Sequence, residues 1–284
     1  MLKLGAQVSI AGKIYSSIDR AKSLGCNTMQ IFARNPRQFR KASLDEEDVR
    51  IFKEKVKKEK INPVVIHIPY TLNLASAKQK VYESSIREFI ADLIEADKLD
   101  AQYLITHMGS YKGSTEKKGL LKISKAISEI LKETKGIKTT VLLENTSGSG
   151  NWLGYKFSHH RFILENVGWH QKIGLCLDTA HAWAAGYKIN DCQGVDSLVK
   201  EIEEEAGIER LKVVHLNDTK EGLGSRHDRH FAIGQGNIGK NGFYFILHHR
   251  HLKNLPFILE TPKKSDEDDI KNLDTARKLY LDQR

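Results

Sequence analysis

The chain has 284 residues, 40% apolar and 29% charged, a balance that excludes a disordered polymer and suffices for a large β/α domain. No apolar run approaches bilayer-spanning length, so no membrane association is expected. The formal net charge of +9 points to an anionic partner such as nucleic acid.

In chain order, Met1 to Val8 lacks the layout of a secretory signal and reads as the start of a first strand, Leu4–Ser9. Cys26, Cys176 and Cys192 are odd in number and lack CxxC spacing, so free thiols in a reducing cytoplasm are expected. A helical stretch Ile14–Leu24 leads to a second strand, Thr28–Phe32, followed by the cluster Arg34, Arg37 and Arg40. The helix Leu44–Lys58 opens with a capping-box pattern, Ser43 as N-cap and Glu46 three residues later. Strand Val64–Ile68 precedes the helix Gln79–Lys98, whose Ile86, Phe89, Ile90, Leu93 and Ile94 form one apolar stripe. Strands Tyr103–His107, Thr139–Leu143, Ile173–Leu177, Lys212–Leu216 and Phe257–Leu259 follow, with helices at Lys118–Glu133 and Asp191–Ala206. The nearly continuous Val, Ile and Leu runs suit parallel strands buried on both faces. Eight strand–helix alternations predict an α/β protein, a closed (β/α)8 TIM barrel forming a single domain over residues 1–284. A monomer is expected. The longest irregular stretch, Asn217–Gly242, follows the seventh strand and is expected to be functional.

Six of the eight runs end in a residue able to bind a metal: His67, His107, Glu144, Asp178, His215 and Glu260. Their separations of 40, 37, 34, 37 and 45 residues each match one strand–loop–helix–loop unit. A barrel brings all six to the C-terminal ends of its strands, whereas the flat edge of an open sheet would not converge them. A lone His at a strand end is usually structural, but equivalent positions in successive units argue otherwise. A carboxylate directly after a buried run needs a counter-charge. No Lys or Arg occupies an equivalent strand end, so a metal is the better neutraliser. His181, three residues after Asp178, joins the set, as do Asp228 and His230, which alternation places on one side of an extended segment with Arg229 facing away. These nine candidates, five His, two Asp and two Glu, suit three ions if one carboxylate is shared. Nitrogen-plus-oxygen ligation favours zinc and also admits manganese or iron. His159, His160, His248, His249 and His251 fall on predicted helices and read as surface residues. Gly234 to Gly239 matches GxGxxG but follows a loop rather than a strand, which argues for a tight loop beside the ligands and against dinucleotide binding. Arg226 and Arg229 flank the Asp228/His230 cluster and are candidate DNA contacts.

The segments Gly5-Ala6-Gln7-Val8-Ser9, Asp178-Thr179-Ala180-His181, His215-Leu216-Asn217-Asp218, Asp228-Arg229-His230 and Gly234-Gln235-Gly236-Asn237-Ile238-Gly239 resemble the endonuclease IV family of DNA-repair enzymes nearly end to end. The resemblance implies a TIM barrel with three zinc ions that incises double-stranded DNA at abasic sites. It implies one metal on His67, His107 and Glu144. A second would be held by Glu144, Asp178, His215 and Glu260, with Glu144 bridging, and a third by His181, Asp228 and His230. Arg37 matches the family's DNA-penetrating arginine and Tyr70 its partner. Three positions depart from the family pattern: Gln7 stands where His is usual, Gln235 where Glu is common, and Thr71 where Leu is frequent. Altered hydrogen bonding around the ligands, rather than lost metal, is expected from Gln7.

The activity so implied is hydrolysis of the phosphodiester bond 5′ to the lesion by a hydroxide held between two metals, leaving a 3′-hydroxyl and a 5′-deoxyribose phosphate. Glu144 and Glu260 would be the catalytic carboxylates. The alternative is a metal-dependent sugar isomerase or epimerase on the same barrel, for which His181, Asp228 and His230 would be surplus. A catalytically silent DNA-binding module would tolerate loss of the carboxylates, yet none of the nine positions is vacant.

Overall fold

The computed structural model describes residues 2–32, 34 and 44–282. Arg37, Arg40 and Ser43 lie outside the described residues. In chain order the elements are β1 Lys3–Ala6, α1 Ser16–Ser23, β2 Met29–Phe32, α2 Glu46–Glu59, β3 Val64–His67 and α3 Gln79–Lys98. Next come β4 Tyr103–His107, α4 Glu116–Glu133, β5 Thr140–Glu144, α5 Phe157–Asn166, β6 Ile173–Asp178 and α6 Thr179–Ala185. The chain continues with α7 Cys192–Ala206, β7 Leu211–His215, α8 Gly239–His248, β8 Pro256–Leu259 and α9 Asp266–Leu281. All seven ladders are parallel, in the order β1-β8-β7-β6-β5-β4-β3-β2, and helices cover the outside. This is the expected TIM barrel.

Closure between β1 and β2 is the weakest seam. Among the described residues, one bridge joins Gln7 to Gln30, with the Val8 amide donating to the Gln30 carbonyl at 2.9 Å. Lower down, the Asn27 side chain takes the place of a ladder, accepting from the Leu4 amide and donating to the Leu2 carbonyl, both at 2.8 Å. The strands approach so closely that a Cβ at Gly5 would lie 2.0 Å from the Thr28 carbonyl oxygen. Only a residue without a Cβ fits. The expected strand Leu4–Ser9 is observed as Lys3–Ala6, and past it the Gln7 and Val8 amides still donate to the Leu259 and Gln30 carbonyls, both at 2.9 Å.

Inside the barrel, Val65, Ile105, Leu142, Cys176, Val213 and Ile258 form one fully buried layer. Each stands two residues before a predicted ligand. Strand alternation repeats every second residue, so the ligands occupy the next layer on the same inward face. The apolar layer seals the barrel beneath them.

Helices α1, α2, α4 and α7 start one or two residues from the predicted positions, and α3 starts where predicted, at Gln79. The N-cap of α2 is Asp45, whose carboxylate accepts from the Glu47 and Asp48 amides, and not Ser43. A carboxylate at that position also meets the positive end of the helix dipole. The irregular stretch after β7 ends at Ile238, because α8 starts at Gly239. Asp218 organises that stretch by accepting from the amides of Thr219, Gly236 and Ile238. The 234–239 loop is thus built on Asp218.

Gly5→Ala is expected to destabilise the protein by about 3 kcal/mol or to prevent soluble expression, since a backbone oxygen cannot move aside cheaply. A thermal midpoint equal to wild type would refute this account of the seam.

Candidate metal centre

Five strands terminate on a predicted ligand: β3 on His67, β4 on His107, β5 on Glu144, β6 on Asp178 and β7 on His215. Glu260 follows β8 by one residue. The structure brings these six together with His181, Asp228 and His230.

Glu144 has no exposed surface and lies at the centre. Its Oε2 is 3.0 Å from both His67 Nε2 and His107 Nε2. The other oxygen, Oε1, is 3.0 Å from His215 Nδ1. His215 Nδ1 also lies 3.3 Å from Glu260 Oε2 and 4.0 Å from Asp178 Oδ2. On the far side, Asp228 Oδ1 is 3.1 Å from His181 Nε2 and 3.6 Å from His230 Nε2. Asp178 Oδ2 stands 3.6 Å from His230 Nε2. Donor atoms thus gather into three groups, His67 with His107 and Glu144, Glu144 with Asp178, His215 and Glu260, and Asp178 with His181 and His230; Asp228, expected in the third, lies against its two rings from outside.

The ring orientations are fixed from behind. His67 Nδ1–H donates to the Ile68 carbonyl at 2.6 Å, and His181 Nδ1–H to the Asn145 carbonyl at 2.9 Å. His230 Nδ1–H donates to the Glu260 carbonyl at 3.2 Å. In each case Nε2 is left facing the other ligands. His215 is reversed: its Nδ1 faces inward.

Asp178 serves two structures at once. Its Oδ1 caps α6 by accepting from the His181 amide at 2.7 Å, which sets His181 one turn along. Its Oδ2 accepts from Asn217 Nδ2 at 2.6 Å. Asn217 Oδ1 in turn receives the Glu260 amide at 2.8 Å. Asn145 clamps the Asp178 backbone from the other side, through both its amide oxygen and its amide nitrogen.

The electrostatics follow from this crowding. Burial alone would raise the Glu144 carboxyl, but His107, His215 and His181 outweigh it and hold it well below the usual carboxylate range. Burial likewise opposes charge on His181 and His215. Asp178, Asp228 and Glu144 overcome it for His181; Cys176, Glu260 and Glu144 do so for His215. Both imidazoles are held well above their ordinary value. Glu260 is lowered because His215 outweighs both burial and Glu144.

Metal ions fit this donor set. Bonds of 2.0–2.1 Å in a tetrahedral site put neighbouring ligand atoms roughly 3.3 Å apart, and the contacts above straddle that spacing. His230 Nε2 is buried with no hydrogen-bond partner among the described residues, aimed at two carboxylates it does not reach. An ion between them would satisfy it.

A family model described as a xylose isomerase-like TIM barrel matches residues 18–280. A probable endonuclease 4 of Aquifex aeolicus is 41% identical over 280 residues, covering 99% of this chain and 98% of its own. Its counterpart in Chloroflexus aurantiacus is 40% identical, covering 98% of each. The crystal structure of endonuclease IV from Thermus thermophilus superposes with a TM-score of 0.88 at 32% identity, over 98% of this chain and 99% of that one. The chain belongs to the endonuclease IV family.

Around the endonuclease IV centre, the candidate DNA contacts are dispersed. Tyr70 is 61% exposed just beyond β3. Arg226 adopts a left-handed backbone, φ 57°, and lies over the Tyr155 ring at 4.4 Å. Arg229 is turned outward and pairs with Glu221 at 3.6 Å. No helix of the described residues is long and apolar enough to cross a membrane.

Two histidine expectations are corrected. His159 and His160 are buried, because the apolar face of α5 that carries Phe157, Ile163 and Leu164 also carries them inward. His159 Nδ1 accepts from the Gly154 amide at 3.0 Å, and burial drives His160 down to about 3. His249 and His251 lie beyond the end of α8, and only His248 is helical. Gln30, Asn145 and Asn217 were missed by sequence reasoning. The two asparagines each follow a ligand closely in the chain, Asn145 directly and Asn217 by two residues, which was a usable signal.

In the metal-free protein, His181 and His215 contribute stability that is complete below about pH 6.5 and falls as pH rises toward their raised native values. Glu144 and Glu260 contribute stability that is complete above about pH 4.5 and falls as pH drops toward their lowered native values. The chelator-treated protein is therefore expected to lose stability as pH rises above about 6.5, while affinity for added zinc rises over the same range as imidazoles shed protons. Urea midpoints with and without zinc would show it; a metal-free midpoint that rose with pH would contradict the charge assignment.

Proposed function

We propose that this protein is a zinc-dependent DNA-repair phosphodiesterase that hydrolyses the bond 5′ to apurinic or apyrimidinic sites. The products are a 3′-hydroxyl and a 5′-deoxyribose phosphate. The observation that supports the reading is a third donor group, Asp178 with His181 and His230 and with Asp228 against both rings, touching the two groups that share Glu144. A sugar isomerase needs no third group. The near-40% identity to proteins named probable endonuclease 4 supports the same choice.

Three zinc ions per chain would be held by His67, His107 and Glu144, by Glu144, Asp178, His215 and Glu260, and by His181, Asp228 and His230. When bound, zinc makes a water-derived nucleophile available near neutral pH and draws charge from phosphate oxygens. The chain's own residues supply the rest. Glu144 holds two donor groups at a fixed separation through its two oxygens, and Glu260 holds the partner of the second. The apolar layer below excludes water from the floor. Exposed Tyr70 and Arg226 would meet the DNA, joined by Arg37. An abasic nucleotide lacks pairing and stacking, so its extrusion toward the mouth costs less than that of an intact one. The net charge of +9 favours phosphate contacts, so binding should weaken as salt rises.

Incision of a duplex carrying one abasic analogue, without added magnesium, is the direct test; turnover of ketoses in its place would favour the isomerase. Protein purified without added metal is expected to carry three equivalents, mostly zinc, and one or none by elemental analysis would remove the third group. Glu144→Gln is expected to keep the fold and lose incision by more than the roughly 10- to 100-fold that losing an outer hydrogen-bond partner costs. Near wild-type cleavage by that variant would rule out the bridging role.

A further inference from the structure

Gln30 sits in β2 with no exposed surface, and its side chain spans two of the proposed ligands. Its Nε2 donates to Glu260 Oε1 at 2.6 Å. Its Oε1 is 2.8 Å from His215 Nε2. An ionised carboxylate can only accept, so the Gln30 NH2 group must face Glu260 and the amide oxygen must face His215. An amide oxygen can only accept in turn, so His215 Nε2 carries a proton.

We infer that Gln30 is a positioning residue that selects which nitrogen of His215 and which oxygen of Glu260 are offered to the metal. This inference rests on the metal-centre reading above. With Nε2 occupied as a donor, His215 presents Nδ1, the atom that lies 3.0 Å from Glu144 Oε1 and 3.3 Å from Glu260 Oε2. With Oε1 occupied as an acceptor, Glu260 presents Oε2 on the same side. One side chain thus orients two ligands of one ion from behind.

The contrast with the other rings makes the assignment sharp. His67, His181 and His230 are tied through Nδ1 to backbone carbonyls of residues 68, 145 and 260. Those locks come with the backbone. Among these four rings, His215 is the one turned by a side chain, and it is the one turned the opposite way. Gln7, where the resemblance leads one to expect His, does not share the task. Its Oε1 is buried without a partner among the described residues, and no described hydrogen bond joins its side chain to any of the nine.

Gln30→Met keeps the length of the side chain and removes both hydrogen bonds. Chelator competition on the zinc-loaded protein is expected to show one of the three ions bound about 10- to 100-fold more weakly than in wild type. The other two should be retained. Equal affinity at all three ions in the variant would overturn the inference. Wild-type protein that takes up no zinc would overturn the metal-centre reading and this inference together, which separates the two failures. A second measurement needs no variant: long-range proton–nitrogen correlation spectra of zinc-loaded wild type should show His215 protonated at Nε2. A proton on Nδ1 of that ring would also overturn the inference.

Discussion

A carboxylate with no exposed surface lies at the middle of the barrel mouth, and the site is arranged around neutralising it. An unpaired ionised group at that depth would cost many kcal/mol. Glu144 avoids the penalty because three imidazole nitrogens stand within 3.0 Å of its two oxygens. Arginine or lysine could have done the same electrostatically, but a fixed cation fills the space and leaves nothing to exchange. Imidazole can carry a proton or give it up, so the same nitrogens that neutralise Glu144 can hand that task to a metal.

The surrounding scaffold limits how the cluster can relax. Below it, one apolar residue from each of six strands forms a sealed floor. Beside it, Asn217 ties the Asp178 carboxylate to the Glu260 backbone, and Asn145 ties the Asp178 backbone to β5. Asp178 is also the N-cap of α6. A shift of that carboxylate would therefore loosen a helix start and a neighbouring strand end at once, a coupling that keeps the ligands near their working positions before any ion arrives.

Much of this was legible in the sequence, for a definite reason. Barrel strands are buried on both faces, so an imidazole or carboxylate at the end of an apolar run stands out, and the repeat length tells that the ends share one face. That logic found the six strand-end ligands, and the Asp178–His181 spacing and the Asp228–His230 alternation supplied the rest. It could not find Gln30, because β2 does not end in a ligand and a glutamine inside Thr28–Phe32 carries no periodic signature. Whether it is structural or functional depends on what stands across the barrel, 185 and 230 residues away. His159 and His160 were misread as surface because helix phase, which turns α5's polar-looking residues inward, is set by packing. The cap of α2 moved from Ser43 to Asp45 for a local reason: both positions offer a capping oxygen, and the carboxylate also complements the helix dipole.

His215 is held by a side chain where His67, His181 and His230 are held by backbone carbonyls. It ends β7, between β6 and β8, where backbone carbonyls are already engaged: its own receives the Thr179 hydroxyl, and that of Ile258 receives the Leu216 amide. The lock comes from across the barrel, from β2, the strand whose join to β1 is the thinnest part of the sheet. Gln30 belongs to both features, since its carbonyl receives the Val8 amide at the seam while its amide group reaches His215 and Glu260. Closing the barrel and orienting the second donor group are thus one event. The absence of a Cβ at Gly5, which lets β1 and β2 meet, then matters to the chemistry as well as to the fold.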